Sequence, residues 1–330
     1  MRKTIYIFSD GEIKRKENTL CFEREKEKKY IPIENVSEIL IFGEVTINKR
    51  LLEFLTQSRI ILHFFNYFGY YLGSYYPREH FNSGYMVLKQ AEHYLDSKKR
   101  IALAKKFVFG AKENIKKVLV YYENRGKKLS EIIERIKRIE GGIDLCKDTD
   151  ELMAIEGNIR ENYYHGFDEI IGNKDFAFEG RTRRPPQNRL NALISFANSI
   201  IYTICLSEIY HTHLDPRIGF LHATNFRRFT LNLDIAEVFK PIIADRVIFN
   251  VINKGIIKPE NFERKLDGIV LNEKGREIII REMEERLKST FLHKKLKRHV
   301  SYRQLIRLEL FKIEKHLIGE EEYIPFITGW

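Results

Sequence analysis

Three side chains of metal-binding or acid-base type lie close together between residues 222 and 237. Asp234 and Glu237 are three positions apart, so on a helix their carboxylates share one face and could hold a single cation. Turn residues at 215–219 predict a loop that delivers His222 toward that helix. Two carboxylates and one imidazole suit Mg²⁺ or Mn²⁺, and Mn²⁺ tolerates the nitrogen better. A solvated helix face and an unligated loop histidine are the open alternatives.

A second group of candidate residues lies upstream, in a predicted helix at 148–164. Glu156 is followed by Gly157, which costs the helix about 1 kcal/mol relative to alanine. A glycine beside a carboxylate lets a ligand or another backbone approach closely. Arg160 lies one turn further on, where it could contact a phosphate or pair with Glu156. An ordinary helical ion pair explains the same residues equally well.

Clustered arginines predict contacts with phosphates. Arg181, Arg183 and Arg184 precede two consecutive prolines, which hold the segment extended and its side chains pointing outward. Arg227 and Arg228 lie between the candidate histidine and the candidate carboxylates, so a substrate bound there lies near both of them. A solvated loop is the alternative for the first cluster.

Other catalytic or metal-binding motifs have little support in the sequence. His211 and His213 form an HxH pair that, with His222 or His165, could hold Zn²⁺, but no HExxH motif accompanies them. The sequence contains no GxxxxGK[ST] loop, no convincing GxGxxG and no GxSxG, so nucleotide hydrolysis, dinucleotide binding and serine hydrolase chemistry lack their motifs.

The composition indicates a globular protein with a polyanionic partner. Of 330 residues, 43% are hydrophobic, which is enough for a sizeable core. There are 57 basic and 46 acidic residues, giving a net charge of +11. Nucleic acid is the commonest partner for such a charge, and an anionic membrane surface is the alternative. Cys21, Cys146 and Cys205 are far apart, which fits a reducing cytoplasm and no disulfide framework.

The elements that position these residues change character near residue 80. Residues 1–76 contain short runs of Ile, Tyr, Phe and Thr between turn residues, with one helical pattern at 48–57, and predict a β-rich domain. A hinge is predicted at 77–84, and 85–330 is predicted to be a larger α-helical domain, so the fold class is α+β. The helices are expected at 85–123, 127–140, 148–164, from about 188, and near 237–253, 259–265 and 273–316.

The uncharged stretch from Leu190 to Ser207 has nearly the length of a membrane span. Asn191, Ser195 and Asn198 draw a polar stripe down one side of it. A central buried helix that faces a polar site explains the stripe better than a membrane does. The N-terminal apolar run is short and turns charged, so we expect no signal peptide, no membrane association and a cytoplasmic location.

Five motifs, in order, together resemble one family. They are Ile155-Glu156-Gly157 with Arg160 and Tyr163-Tyr164; Arg183-Arg184-Pro185-Pro186 with Asn188 and Asn191-Ala192-Leu193; Leu214-Asp215-Pro216 with Gly219-Phe220-Leu221-His222; Leu233-Asp234-Ile235-Ala236-Glu237; and Tyr323-Ile324-Pro325-Phe326 with Trp330. The family is the CRISPR-associated integrases, the DNA-processing Cas proteins of spacer acquisition. The sequence departs from the family pattern at Asn188 and Val238.

The resemblance implies a metal-dependent DNA endonuclease and integrase that acts on double-stranded DNA with Mg²⁺ or Mn²⁺. It also implies a homodimer, with dimerisation expected in the β-rich domain, and a small ferredoxin-like CRISPR-associated partner protein. The implied metal ligands are Glu156, His222 and Glu237, and Asp234 is a supporting carboxylate of the catalytic set. The expected DNA contacts are Arg160, Arg183, Arg184, Arg227, Arg228 and Lys240.

Two other classes of function stay open on the sequence. A non-catalytic DNA-binding scaffold would have the same positive charge and the same arginines. A metal-dependent phosphohydrolase acting on RNA or nucleotides would share the ligands but would not need so wide a basic surface.

Overall fold

The structure, a computed structural model, describes residues 2–25, 27–78, 81, 83–183, 185–224, 229–265, 268–293 and 295–329. The chain divides into two compact units, Met1–His80 and Phe81–Trp330. The predicted hinge at 77–84 includes Glu79, His80 and Asn82, which lie outside the described residues.

The first unit is built from short strands and one helix, as its alternating apolar pattern predicts. Asn48 begins the helix by accepting the backbone N–H of Leu51 at 3.0 Å. The elements are β1 Lys3–Ile7, β2 Gly11–Lys16, β3 Thr19–Arg24, β4 Glu27–Pro32, β5 Val36–Ile41, β6 Val45–Thr46, α1 Lys49–Ser58, β7 Ile61–Phe65 and β8 Tyr71–Tyr75.

These strands form two sheets that share one core. One sheet has the order β1-β5-β7-β8, with β8 antiparallel to β7 and the other neighbours parallel. The second has the order β4-β3-β2-β6, with β2 parallel to β6 and the other pairs antiparallel. Apolar side chains from both sheets and from α1, including Ile13, Ile39, Leu51 and Leu62, form the core.

The second unit is mostly helical and carries every candidate site residue. Its helices are α2 Gly84–Leu95, α3 Ser97–Glu123, α4 Ser130–Glu140, α5 Gly142–Leu145, α6 Thr149–His165, α7 Phe167–Ile171, α8 Arg189–Tyr210, α9 Leu231–Phe239, α10 Arg246–Asn253, α11 Glu273–Lys288 and α12 Tyr302–Leu317. A π-helical turn, Pro241–Asp245, joins α9 to α10. The strand pairs are β9 Phe262–Lys265 with β10 Gly268–Leu271, and β11 Thr290–His293 with β12 Arg298–Ser301. The α+β class predicted from the sequence is confirmed.

Helix α8 lies at the centre of this unit. Among the described residues it is the one helix long and apolar enough to cross a membrane by composition, and 78% of its most apolar window is buried within the protein. It packs against α9, α11, α12 and β10. This burial is what a core helix of the helical unit requires.

Four of the predicted helices differ from the structure. The helix expected near 237–253 begins instead at Leu231, and the π-helical turn divides it into α9 and α10. The helix expected at 85–123 is divided at Asp96, whose side chain accepts the backbone N–H groups of Lys98 at 2.9 Å and Lys99 at 3.0 Å and so begins α3. The helix expected at 259–265 is wrong, since a 3₁₀ turn leads there into β9. The helix expected at 273–316 is interrupted by the β11–β12 hairpin, where Lys297 has a φ of 52° that a continuous helix excludes.

Candidate active site

Three elements of the helical unit bring the candidate residues together. Helix α6 carries Glu156 and Arg160, the loop before α9 carries His222, and α9 carries Asp234 and Glu237. The long helix α3 packs against both α6 and α9, so it holds these two helices side by side. The loop and the helix predicted from 215–237 are both present.

Glu237 lies at the bottom of the site, with its side chain only 6% exposed. One carboxylate oxygen pairs with Nη2 of Arg160 and the other pairs with Nζ of Lys240. Arg160 also donates from Nε to Oε1 of Glu156 at 3.3 Å. Arg160 therefore bridges the two glutamates, and the side chain of Glu156, 21% exposed, lies nearer the surface.

The two glutamates influence each other's ionisation in opposite directions. Burial, and then the negative charge of Glu237, raise the pKa of Glu156. Burial alone would also raise the pKa of Glu237, but the charges of Lys240 and Arg160 outweigh it and lower that pKa. The pair therefore combines an ionised carboxylate with one that resists ionisation, an arrangement that an added cation would relieve.

Asp234 is fully buried, and both of its oxygens are committed to the His222 loop. One oxygen accepts the backbone N–H groups of Phe220 at 2.5 Å and Leu221 at 3.0 Å. The other accepts the backbone N–H of His222 at 3.0 Å and lies 2.7 Å from its Nδ1. Both oxygens of Asp234 thus hold the loop that carries His222, which fits a supporting role for this carboxylate. That Asp234 and Glu237 share one cation stays a prediction.

The contact with Asp234 defines the state of the His222 ring. Donation from Nδ1 to the carboxylate places a proton on Nδ1, which leaves Nε2 with a lone pair in the neutral ring. Burial would lower the pKa of His222, but the hydrogen bond and charge of Asp234 outweigh it and the pKa is raised. The side chain is 24% exposed, so part of the ring is in contact with solvent.

A buried glutamine that the sequence analysis missed holds the same loop. Gln90, on α2, donates from Nε2 to the carbonyls of Asp215 and Ile218 at 3.1 Å each, and its Oε1 accepts the N–H of Asp215 at 2.7 Å. Arg100 adds a bond from Nε to the carbonyl of Phe220 at 2.9 Å. A glutamine on the buried face of an amphipathic helix is the sequence signal that could have identified it.

Two glycines of the site have different structural roles. A Cβ added at Gly219 would lie 2.8 Å from the carbonyl carbon of Thr230 and 2.9 Å from Oδ2 of Asp234, so the close approach of loop and helix requires glycine. A Cβ added at Gly157 would meet nothing within 4 Å among the described residues. The space beside Glu156 predicted from this glycine is thus open to solvent.

Two of the predicted DNA contacts are buried. Arg160 and Lys240 are 7% and 5% exposed, and both point at Glu237. Lys240 also lies over the ring of Tyr202, with Nζ 4.6 Å from the centroid. Any contact of these two side chains with DNA would therefore occur inside the site rather than on an outer surface.

The two described arginines of the 181–184 cluster point in different directions. Arg181 turns inward and donates to Oδ1 of Asn191 and to Oγ of Ser195, each at 3.0 Å. The polar stripe of α8 therefore supplies hydrogen-bond acceptors to Arg181. The sequence had instead predicted that this side chain points outward. Arg183 is exposed. The other three predicted contacts, Arg184, Arg227 and Arg228, lie outside the described residues.

The rival zinc site finds no support in the described part of the chain. Nδ1 of His211 lies 2.8 Å from the carbonyl of Ser207, and Nδ1 of His213 lies 3.2 Å from a carboxylate oxygen of Glu314. Over the described residues, no three His, Cys, Asp or Glu side chains converge closely enough to hold a metal ion as they stand.

The residues Glu156, His222 and Glu237 fit a divalent cation by their chemistry. The charge of Glu237 acts on both Glu156 and His222, and two carboxylates with one imidazole nitrogen suit Mg²⁺ or Mn²⁺. As they stand, these three side chains, like every other such group over the described residues, do not converge closely enough to hold an ion. The positive charge beside Glu237 is at present supplied by Arg160 and Lys240. Ligation by these three residues stays a prediction.

The protein resembles known proteins over its whole length. The family model "CRISPR associated protein Cas1" matches residues 5–285. A curated protein of Thermodesulfovibrio yellowstonii, named CRISPR-associated endonuclease Cas1 2, is 72% identical over 330 residues, covering 100% of both chains. The solved structure of a Cas1 protein from Thermotoga maritima has 47% identity and a TM-score of 0.90, covering 97% of this chain and 98% of that chain. A casposase bound to its integration product shares the fold, with a TM-score of 0.88, 19% identity and coverage of 99% and 94%.

Proposed function

The chain belongs to the Cas1 family of CRISPR-associated proteins, and from this premise we propose that it is a divalent-metal-dependent DNA endonuclease and integrase of spacer acquisition. The observation that carries the proposal is the Glu156–Arg160–Glu237 cluster beside the His222–Asp234 pair. Buried carboxylates next to an oriented histidine are typical of phosphodiester chemistry supported by a metal ion.

We assign metal ligation to Glu156, Glu237 and Nε2 of His222, with Mg²⁺ or Mn²⁺ as the ion. When bound, the metal supplies charge neutralisation and polarisation at the scissile phosphate. Asp234 holds the His222 proton on Nδ1 and fixes the ring by accepting from its backbone. Arg160 and Lys240 are placed to donate to phosphate oxygens once Glu237 is neutralised by another partner.

The reaction is a displacement at phosphorus. In integration, the oxygen of a DNA 3'-hydroxyl loses its proton and forms the new bond to phosphorus, while the bond from phosphorus to the 3'-oxygen of the target strand breaks and that oxygen takes up a proton. In hydrolysis, water is the nucleophile and loses the proton instead. The side chains of the site serve mainly to place charge near the phosphate, since phosphoryl transfer depends on positioning and electrostatics.

We propose that DNA reaches the site over the segment that contains Arg183 and Arg184, and that Arg227 and Arg228, which follow His222 in the sequence, also contact the DNA. In support, Arg181 and Lys240 both act electrostatically with Tyr164 and Tyr202, so the 181–183 segment lies beside the site. The net charge of +11 also favours double-stranded DNA as the partner.

We further propose that the protein is a homodimer through its first unit, and that catalysis belongs to the second. Phe68 and Leu72 of the β7–β8 hairpin are 45% and 67% exposed and offer an apolar surface to a second copy. A small ferredoxin-like CRISPR-associated partner and a cytoplasmic location complete the proposal. Sedimentation of wild type and of Leu72→Lys tests the dimer, which the lysine is expected to weaken.

The central experiment replaces the proposed ligands one at a time. Glu156→Ala, His222→Ala and Glu237→Ala are each expected to abolish Mn²⁺-dependent cleavage and strand transfer, while DNA affinity persists. The matched controls are Glu161→Ala, an exposed glutamate of the same helix, and His213→Ala, an exposed histidine paired with Glu314. Full activity in any of the three ligand variants would refute the assignment.

The two rival functions give different results in the same assays. A non-catalytic scaffold would bind DNA with steep salt dependence, without turnover and without sensitivity to EDTA. A phosphohydrolase would prefer RNA or nucleotides to duplex DNA. Comparing duplex DNA, single-stranded DNA and RNA as substrates therefore separates the three.

A further inference from the structure

The segment that follows α12, residues 323–328, has no regular secondary structure but is bound closely to the helical unit. Tyr323 is fully buried, and its hydroxyl donates to Oε1 of Glu309 on α12 at 2.7 Å. The same oxygen accepts the N–H of Phe326 at 2.8 Å. Helix α12 therefore fixes the path of this segment, which lies beyond residues 5–285, the part of the chain that the family model matches.

Asn114, a fully buried residue of α3, joins this segment to α9. Its Nδ2 donates to the carbonyls of Val238 at 2.9 Å and Phe326 at 3.0 Å, and its Oδ1 accepts the N–H of Thr328 at 2.9 Å. The two N–H donors and the oxygen of the amide thus all have partners, and the reversed amide would direct its oxygen at two carbonyls. The ring of Phe326 also stacks on that of Phe239 in α9, with centroids 6.4 Å apart. The segment therefore fixes the orientation in which Asn114 donates to α9.

The carbonyl that Asn114 binds lies where the hydrogen bonding of α9 is interrupted. Pro241 follows the end of α9 and has no N–H, so it cannot make the α-helical bond to the carbonyl of Glu237. A π-helical turn begins there, and Val238 is the residue directly after Glu237. The end of α9, from Glu237 to Lys240, is thus held by a side chain from outside its own helix.

We propose that Asn114 and the segment 323–328 position the end of α9, so that Glu237 and Lys240 keep the geometry that metal binding requires. Asn114 is a positioning residue, because it acts through the backbone next to Glu237 and contacts neither the ion nor DNA. A shift of that backbone would move the carboxylate of Glu237 relative to Glu156. This consequence rests on the proposed function, whereas the attachment of the segment to α9 rests on the hydrogen bonds alone.

The test measures Mn²⁺ affinity without DNA, from the free-ion electron paramagnetic resonance signal. Asn114→Leu keeps a similar length and branching, adds no charge, and removes the bonds to Val238, Phe326 and Thr328. Mn²⁺ binding is expected to weaken about tenfold, since each lost bond contributes about 3- to 10-fold to an equilibrium constant. The rate of strand transfer at saturating DNA and fixed Mn²⁺ should fall, while DNA affinity without metal stays unchanged.

A matched control separates positioning from a general loss of stability. Asn272, at the start of α11, donates from Nδ2 to the carbonyl of Glu260 and accepts the N–H of Gly275 at Oδ1, each at 2.9 Å. Asn272→Leu removes the same kinds of bonds, but neither partner belongs to α9 or to the segment 323–328. It should lower stability and leave Mn²⁺ affinity unchanged.

Two changes at one position of the segment isolate the hydrogen bond to Oδ1 of Asn114. Thr328→Pro removes the N–H that this oxygen accepts, and is expected to weaken Mn²⁺ binding about threefold. Thr328→Val retains the N–H and the β-branched shape, and should bind Mn²⁺ as the wild-type protein does. If Asn114→Leu fails to fold, this pair of variants provides the same comparison.

The outcomes separate this inference from the proposed function. Unchanged Mn²⁺ affinity in folded Asn114→Leu and Thr328→Pro overturns the positioning role, and so does an equal weakening in Asn272→Leu. A wild-type protein that neither binds Mn²⁺ nor joins DNA overturns the proposed function. Hydrogen exchange then still tests the attachment, because the amides at 236–240 should exchange faster in Asn114→Leu than in wild type, and those of α8 should not. Equal exchange at 236–240 in both proteins overturns it.

Discussion

The Nδ1 atom of His222 lies 2.7 Å from Oδ1 of Asp234, and the same oxygen accepts the backbone N–H of His222 at 3.0 Å. One carboxylate thus orients both the ring and the chain that carries it. Because Asp234 is on α9 together with Glu237, the helix that presents one proposed ligand also positions another.

Replacing Asp234 is expected to affect stability and metal binding together. In Asp234→Asn the side-chain NH₂ group must face backbone N–H donors, so hydrogen bonds to the loop are lost. We expect the free energy of unfolding to fall by about 2–4 kcal/mol, since each bond to a charged acceptor contributes about 1.5–3 kcal/mol. Urea unfolding and Mn²⁺ titration measure the two effects. A variant as stable as wild type would contradict the role of Asp234 in holding the loop.

The pH dependence of His222 follows from its raised pKa. The pKa lies above the ordinary value of 6.5, because Asp234 favours the charged ring more strongly than burial opposes it. The ion pair therefore stabilises the fold fully below about pH 6.5, and this contribution is lost as the pH rises through the folded-state pKa. Metal ligation needs the neutral ring, so Mn²⁺ affinity should rise across the same window.

Nuclear magnetic resonance titration of the His222 ring measures this pKa directly. In Asp234→Asn the pKa should fall, because burial then acts without the charge that outweighs it. In His222→Gln, the free energy of unfolding should no longer show the decrease above pH 6.5 that the His222–Asp234 ion pair causes in the wild-type protein. A ring that titrates below its ordinary value in the wild-type protein would contradict the predicted dependence.

The sequence predicted the local parts of the site better than the contacts between them. The helix with Asp234 and Glu237 and the loop with His222 follow from short-range spacing and turn residues, which operate within a few positions. The hydrogen bonds of Arg181 to α8 and of Gln90 to the loop before His222 join residues up to 128 positions apart. Local spacing in the sequence carries no signal for such contacts. The β11–β12 hairpin was missed because charged and apolar residues alternate there in a way that also suits a helix.

The two glycines of the site should respond in opposite ways to alanine. Gly157→Ala adds a methyl group where nothing lies within 4 Å and should stabilise α6 by about 1 kcal/mol. Gly219→Ala places a Cβ 2.8 Å from Thr230 and should destabilise the protein by about 1–3 kcal/mol.

Thermal unfolding measures both changes, and each variant is the control for the other. If DNA uses the open space beside Glu156, Gly157→Ala should also lower strand-transfer activity despite its higher stability. Unchanged activity in that variant would show that the space serves no substrate.

The three hydrogen bonds of Gln90 allow a direct test of how the loop that carries His222 is held in place. The side chain is fully buried and makes three bonds to the backbone of Asp215 and Ile218, at 2.7, 3.1 and 3.1 Å. Gln90→Leu keeps the approximate volume and leaves these backbone groups buried without partners, which should lower the free energy of unfolding by about 2–4 kcal/mol.

The specific consequence is local, because the freed backbone belongs to the loop that carries His222. Hydrogen exchange of the 213–224 segment should accelerate in Gln90→Leu more than exchange in α8, and Mn²⁺ affinity should fall with it. Gln304→Leu is the matched control, since Gln304 accepts the N–H of Ser301 at 3.1 Å at the start of α12. If both variants lose stability but the loop exchanges as in wild type, Gln90 contributes to packing alone and the His222 loop is held by Asp234 and Arg100.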